Sequence, residues 1–239
     1  MTVVAAFGVV LLGALAQAVS GFGFALVAVP LLALATDART AVVVAGMTGL
    51  GLTLTTAVRE RANVRWRTAG LLTGAAALGM PAGLLILTLA PERLLTGLIA
   101  IVVLGCTALV WADARLRAGP AIVGVIGVLS GVLTTSTGTN GPPLVAVCHA
   151  LGYDPRTFRA TLAAIFTGTG TIGLIGFWIS GQLSANTVRI AALALPAVAI
   201  GWWAGNRIFA RIDTAAFRRV LLFGLAASSA AALIRVLAV

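Results

Sequence analysis

The sequence predicts an all-α polytopic membrane protein made of two inverted-topology repeats, each a broken or re-entrant helical hairpin followed by three transmembrane helices. Three observations predict it. Mean hydropathy is +1.11 and only 9% of residues are charged, against about 25% in soluble domains. The apolar sequence falls into runs close to the ~20 residues a helix needs to cross a bilayer. All 16 basic residues are arginines, and they sit in short clusters between those runs. A net charge of +10 on a soluble chain would point to nucleic acid. Here the clustering reads as membrane topology, with the lipid bilayer as partner and no nucleic acid.

Taken in order, residues 3–36 are apolar but broken at Ser20-Gly21-Phe22-Gly23, and form the first hairpin. Ala16-Gln17-Ala18 resembles a signal-peptidase site, yet no positive residue precedes the apolar run, so the segment is expected to be retained. Spans at 40–58, 68–90 and 94–112 complete a first repeat over 1–112, and 113–119 is a cytoplasmic linker. The second repeat, 120–239, opens with a hairpin at 118–151. That hairpin is broken by TTSTGTNGPP, Thr134 to Pro143, and spans follow at 160–180, 188–206 and 217–237.

The arginines set the threading, because they concentrate on the cytoplasmic side. With Arg59, Arg61, Arg65 and Arg67 inside, the following runs put Arg93 outside and Arg115 and Arg117 inside. Arg156 and Arg159 can then be inside only if 118–151 enters and leaves on one face. The scheme leaves twelve arginines inside and four outside, Arg39, Arg93, Arg189 and Arg235. Both termini fall on the exterior side of the cell membrane.

Internal repetition points the same way. At an offset of 117, Gly21, Asp37, Arg39 and Thr40 align with Gly138, Asp154, Arg156 and Thr157; at 122, Gly79, Ala82 and Gly83 align with Gly201, Ala204 and Gly205. Three spans after each hairpin is an odd number, so the second half lies upside down. The charges invert to match. The four-arginine loop of the first half corresponds to the nearly uncharged loop around Gln182, and Pro91-Glu92-Arg93 corresponds to the basic stretch 207–219.

Non-helical backbone within a membrane survives only inside protein or beside a watery cavity, so the two breaks are expected at a buried polar site. A helix that starts at a break offers free N–H groups and a partial positive charge. In the second break Thr135, Ser136, Thr137, Thr139 and the Asn140 amide add donors, and Gly138 and Gly141 permit a tight turn. The first break supplies a poorer counterpart in Gln17, Ser20, Gly21, Phe22 and Gly23, with Phe22 and Phe24 as apolar walls. Such a pocket suits an oxyanion of modest size. Gly46, Gly49, Gly51 and the stretch from Thr167 to Gly173 read as helix-packing positions.

Cys106 and Cys148 lie in apolar runs without C-x-x-C spacing, and the chain has one His, so neither a disulfide framework nor a metal site is expected. No cofactor motif is present. Paired acids, an activated nucleophile and a phosphate-binding loop are lacking, so the chain reads as no enzyme. Nothing in the sequence decides between a monomer and a homodimer.

The two apolar arms, SGFGFALVAVPLL (Ser20 to Leu32) and TGTNGPPLVAV (Thr137 to Val147), together with the two related halves, resemble the TauE/SafE family of sulfite and organosulfonate exporters. The resemblance runs over nearly the whole chain. It implies outward transport of a small sulfur-containing anion. No carboxylate falls in the middle of a span, which fits uniporter-like efflux driven by membrane potential, with the halves rocking around the hairpin tips. An anion channel and a membrane-embedded sulfur relay using Cys148 with His149 are the rival readings.

Overall fold

The computed structural model describes residues 2–111 and 119–209. Span 217–237, most of linker 113–119, and Arg115, Arg117, Arg211, Arg218, Arg219 and Arg235 lie outside the described residues. Among the described residues every element is helical: α1 (Thr2–Ser20), α2 (Phe24–Ala35), α3 (Ala38–Arg59), a 3-10 turn (Arg61–Asn63), α4 (Trp66–Leu89), α5 (Glu92–Trp111), α6 (Pro120–Ser136), α7 (Gly141–Ala150), α8 (Pro155–Ile179) and α9 (Ala185–Phe209). Five of them, α3, α4, α5, α8 and α9, are long and apolar enough to cross a membrane, and α1, α2 and α6 contain shorter apolar stretches. The chain is an integral membrane protein.

Both breaks fall where the sequence is polar and glycine-rich. Gly21 (φ 80) and Gly23 (φ 110) turn the chain between α1 and α2, and Gly138 (φ 68) does so between α6 and α7. These are left-handed values that other residues adopt at a cost. The aligned aspartates cap helices. Asp37 accepts from the Thr40 amide at the start of α3, and Asp154 accepts from the Arg156 and Thr157 amides at the start of α8. The bonds from Thr157, then that from the Arg156 amide, hold the exposed Asp154 carboxyl below its ordinary range. A carboxyl lowered in this way stabilises the fold above the ordinary carboxylate range, and the contribution is lost as pH falls through the lowered value. With Asp154 as cap and Pro155 in the first turn, α8 begins five residues before the expected 160, because its first turns carry Arg156 and Arg159 and escape a search for apolar runs.

The long helices pack through small residues. A Cβ on Gly79 or Gly83 of α4 would strike the carbonyl oxygens of Val128 and Val132 on α6. On α9, a Cβ on Gly201 would lie 2.7 Å from the Leu11 oxygen of α1, and one on Gly205 would lie 2.5 Å from the Ala18 Cβ. Each pair runs parallel, backbone against backbone. In the centre α3 and α8 run antiparallel, with Gly46 beside Phe177 and Leu50 beside Gly170. One apolar core joins α1, α2, α3, α5 and α9, and a second joins the end of α3 with α4, α7 and α8.

Two helix ends cap each other. The Arg39 guanidinium, at the start of α3, donates to the Leu87 (2.9 Å), Thr88 (3.4 Å) and Ala90 (2.6 Å) oxygens at the end of α4. Glu92 at the start of α5 accepts from the Ala38 amide. At the opposite ends of α3 and α4, the Arg65 amide donates to Thr161 Oγ1 (3.1 Å) and Thr68 shares a hydrogen bond with Tyr153 (2.7 Å). Arg39→Ala should therefore cost about 1.5–3 kcal/mol, the range for hydrogen bonds to charged groups. The exposed Arg67→Ala should stay within about 0.5 kcal/mol. Thermal unfolding of the two variants in detergent checks the contrast.

Candidate functional site

The two breaks open onto one cavity of about 90 Å³. From the first come Gln17, Gly23 and the opening turn of α2, Phe24, Ala25 and Leu26; from the second come Thr134, Gly138, Thr139, Asn140 and Gly141. The walls are completed by Gly46, Gly49, Leu50 and Thr53 of α3 and by Phe166, Thr169, Gly170, Gly173 and Phe177 of α8. The space is large enough for a few waters or one small oxyanion. Most of its surface is apolar, with the polar groups concentrated at the breaks.

The expected site residues divide into three groups. Gln17, Gly23, Gly138, Thr139, Asn140 and Gly141 line the cavity. Thr135, Ser136 and Thr137 are buried and turn their hydroxyls to carbonyls, Thr135 to Met80 on α4 (2.8 Å), Ser136 to Val132 (2.7 Å) and Thr137 to Leu133 (3.1 Å). They hold the α6 end together and stay out of the cavity wall. Gly21 lies deeper along the first break, and Phe22 packs over Gly141, where a Cβ would come 3.7 Å from its ring. Of Ser20 only the backbone is described.

The polar side chains of the second break form two hydrogen-bonded groups. Asn140 Nδ2 donates to Thr134 Oγ1 (2.8 Å), which itself donates to the Ser130 oxygen (2.7 Å), while the Thr137 and Thr139 hydroxyls share a hydrogen bond of 2.9 Å. This network fixes the Asn140 side chain before any ligand arrives. Asn140 stands at the N-cap of α7, but its side chain caps nothing there. It is thus committed to the network.

The two helix starts differ in a way that reverses the ranking expected from side chains. At α7 the first turn is Gly141-Pro142-Pro143, and two of those three residues have no N–H. At α2 the first turn is Phe24-Ala25-Leu26, with three amides that lack a helical carbonyl partner and no side-chain cap at Gly23. Both partial positive ends meet the cavity. Among the described residues no carboxylate lines it. Asp37, Glu60, Glu92 and Asp154 stand at helix ends or loops, and Asp113 and Asp213 lie outside the described residues.

Sequence reasoning missed the α3 and α8 walls. Gly46, Gly49, Thr169, Gly170 and Gly173, expected to serve packing alone, also face the cavity, and their small size keeps it open. Gly49 does both, since a Cβ there would lie 3.1 Å from the Phe24 ring. The available signal was the offset of 117, which carries Gly49 to Phe166 and Thr53 to Gly170, all four in the wall. Cys148 is fully buried and absent from the cavity wall, and the His149 ring packs tilted against Phe158 with centroids 4.7 Å apart.

The family model described as Sulfite exporter TauE/SafE matches residues 6–232. The chain belongs to that family. A relative from Cupriavidus necator, described as a probable sulfite/organosulfonate exporter TauE, is 34% identical over 115 residues, 47% of this chain and 45% of that protein. The matched stretch thus covers under half of that TauE/SafE relative. No solved structure matches the chain.

The turn at Gly138 gives a direct test of the site's scaffold. A Cβ there would lie 3.0 Å from Val29 Cγ2 on a left-handed backbone, so Gly138→Ala should lose about 1–2 kcal/mol. Gly74→Ala, at a helical position with nothing within 4 Å, should be neutral or gain up to about 1 kcal/mol. Thermal unfolding in detergent distinguishes them.

Proposed function

We propose that this chain is a secondary transporter that moves a small sulfur-containing oxyanion, of the sulfite or organosulfonate class, outward across the cell membrane, holding it in the cavity between the two helix breaks. The observation that carries the reading is the convergence of two helix starts on one cavity that, among the described residues, no carboxylate lines. Partial positive ends and amide donors favour an anion without fixing a full counter-charge, so the anion can leave again. The amides of Phe24, Ala25, Leu26 and Gly141, the Asn140 and Gln17 amides and the Thr139 hydroxyl are the proposed ligand groups. Gly21, Gly23 and Gly138 shape the turns. Thr135, Ser136 and Thr137 support them.

The architecture we propose for this task is a pair of inverted repeats, 1–112 and 120–239. Several features support it. The offset of 117 turns five pairs of cavity residues into each other: Gln17 and Thr134, Gly23 and Asn140, Phe24 and Gly141, Gly49 and Phe166, Thr53 and Gly170. The tight helix pairs exchange as well, since Gly79 against Val128 corresponds to Gly201 against Leu11, at offsets of 122 and 117 respectively. The corresponding helices α3 and α8 are antiparallel, as an axis in the membrane plane demands. With no acid in the cavity wall among the described residues, the driving force in this reading is the inside-negative potential, roughly 2.3 kcal/mol per charge per 100 mV. A sulfur relay through Cys148 finds no support, since that thiol lies away from the cavity.

Purified protein in liposomes, with charge movement recorded on adding sulfite, an organosulfonate, sulfate or chloride, tests the function. A saturable current with sulfite or a sulfonate is expected, and Asn140→Ala should raise the half-saturating concentration about tenfold, the worth of one hydrogen bond to a charged group. A non-saturating current would indicate a channel. Threading is tested with Asn63→Cys and Asn186→Cys, both exposed. A membrane-impermeant maleimide added outside intact cells should label Asn186→Cys alone, and labelling of both would remove the inverted arrangement.

A further inference from the structure

Three phenylalanine rings stand in the cavity wall, Phe24, Phe166 and Phe177, and two of them are taken up by packing. Phe24 is wedged between Gly13 and Gly49, where an added Cβ would come 3.1 Å from its ring in either case. Phe177 fills the gap at Gly46, with a Cβ there 3.4 Å from the ring. Both are 3% exposed. Phe166, on α8, differs from them. It is half-buried, packs against the second apolar core and also lines the cavity. A Cβ on Gly141, the residue that opens α7 at the second break, would lie 4.0 Å from its Cζ, an ordinary contact distance.

A comparison within the chain separates the two roles. The offset of 117 pairs Phe24 with Gly141 and Gly49 with Phe166. Each half thus has one ring and one glycine at these positions, exchanged between break and span. In the first half ring and glycine meet tightly, and the contact closes α2 on α3. In the second half they stand further apart, and Phe22 covers Gly141 more closely, at 3.7 Å. Cover for the start of α7 therefore does not depend on Phe166. Its ring bounds open space instead.

Size gives that position a consequence. An engineered apolar cavity of about 150 Å³ holds a single benzene molecule. The cavity between the breaks measures about 90 Å³ and has to take the charged head of the anion as well. Sulfite or a methyl-bearing sulfonate suits such a space, and an aryl group does not. We propose that Phe166 sets the largest organic group the carried anion can bear, by occupying the volume into which that group would extend. The proposal rests on the transport reading. With the anion oxygens at the break amides, that of Gly141 among them, an organic substituent is directed along α8 and meets the Phe166 ring. The other wall positions on α8 that face it, Gly170 and Gly173, have no side chain to limit its size.

The test uses Phe166→Ala, Phe166→Leu and, as a control, Phe7→Ala, which shortens a half-buried ring outside the cavity. Charge movement in liposomes is recorded with sulfite, methanesulfonate and benzenesulfonate, and each protein is scored by its preference for the better of the two small anions over benzenesulfonate. Wild type should favour the small anion. Phe166→Ala should reduce that preference about tenfold or more, the scale on which an apolar pocket distinguishes a single methylene, while Phe7→Ala stays within about twofold of wild type. Three results would overturn the proposal and leave the transport reading standing: no preference in wild type, an unchanged preference in Phe166→Ala, or the same loss in Phe7→Ala. If wild type moves none of the three anions, the transport reading falls, and the size limit is judged on unfolding temperature in detergent with added benzenesulfonate. A rise in Phe166→Ala that is absent in wild type supports it; no rise in the variant, or an equal one in wild type, overturns it. Should Phe166→Ala fail to fold, Phe166→Leu decides, and a preference unchanged from wild type overturns the proposal.

Discussion

The structure depends on one constraint: backbone amides and carbonyls cannot be left bare in hydrocarbon, where each unsatisfied group costs several kcal/mol. Two of the chain's hairpins nevertheless stop being helical, at Gly21–Gly23 and at Thr137–Asn140. They can do so only because other protein surrounds them. α3 and α8 run side by side through the centre and supply that shelter, and the small residues along their facing sides leave a cavity between the two turns. The polar groups released by ending a helix are thereby gathered in one place. What would be a defect facing lipid becomes a set of donors facing a cavity.

Much of this was legible in the sequence because the relevant signals are local. Helix breaks need glycine and small polar residues, and SGFG and TGTN mark both turns to within a residue or two. The Asp37 and Asp154 alignments proved to be caps, which depend on residues three apart and so leave a readable trace. Less legible was anything that depends on which way a helix faces. Thr135 and Thr139 are the same residue type four positions apart, yet one bonds to the Met80 oxygen on a neighbouring helix and the other lines the cavity. Only the packing of α6 against α4 decides that.

The ranking of the two breaks shows a different limit. Counting side chains favours the second break, with its run of threonines and Asn140. Counting backbone donors favours the first, because Pro142 and Pro143 remove amides at α7 whereas α2 keeps all three in its first turn. For an anion the backbone matters as much as the side chains. Gly46 and Gly49 carry a similar ambiguity, since a glycine that admits a neighbouring ring and one that leaves room for a ligand are indistinguishable until the neighbour is known.

The glycine-tight pairing of α4 with α6 and of α1 with α9 also bears on mechanics. Each pair joins a long span from one half of the sequence to a hairpin arm from the other, with backbone close against backbone and mainly small side chains such as Ala14, Ala18 and Ala75 between. Such seams transmit force like a weld. Each seam ties a hairpin arm of one half to a span of the other, so any motion that parts the two halves has to open both seams.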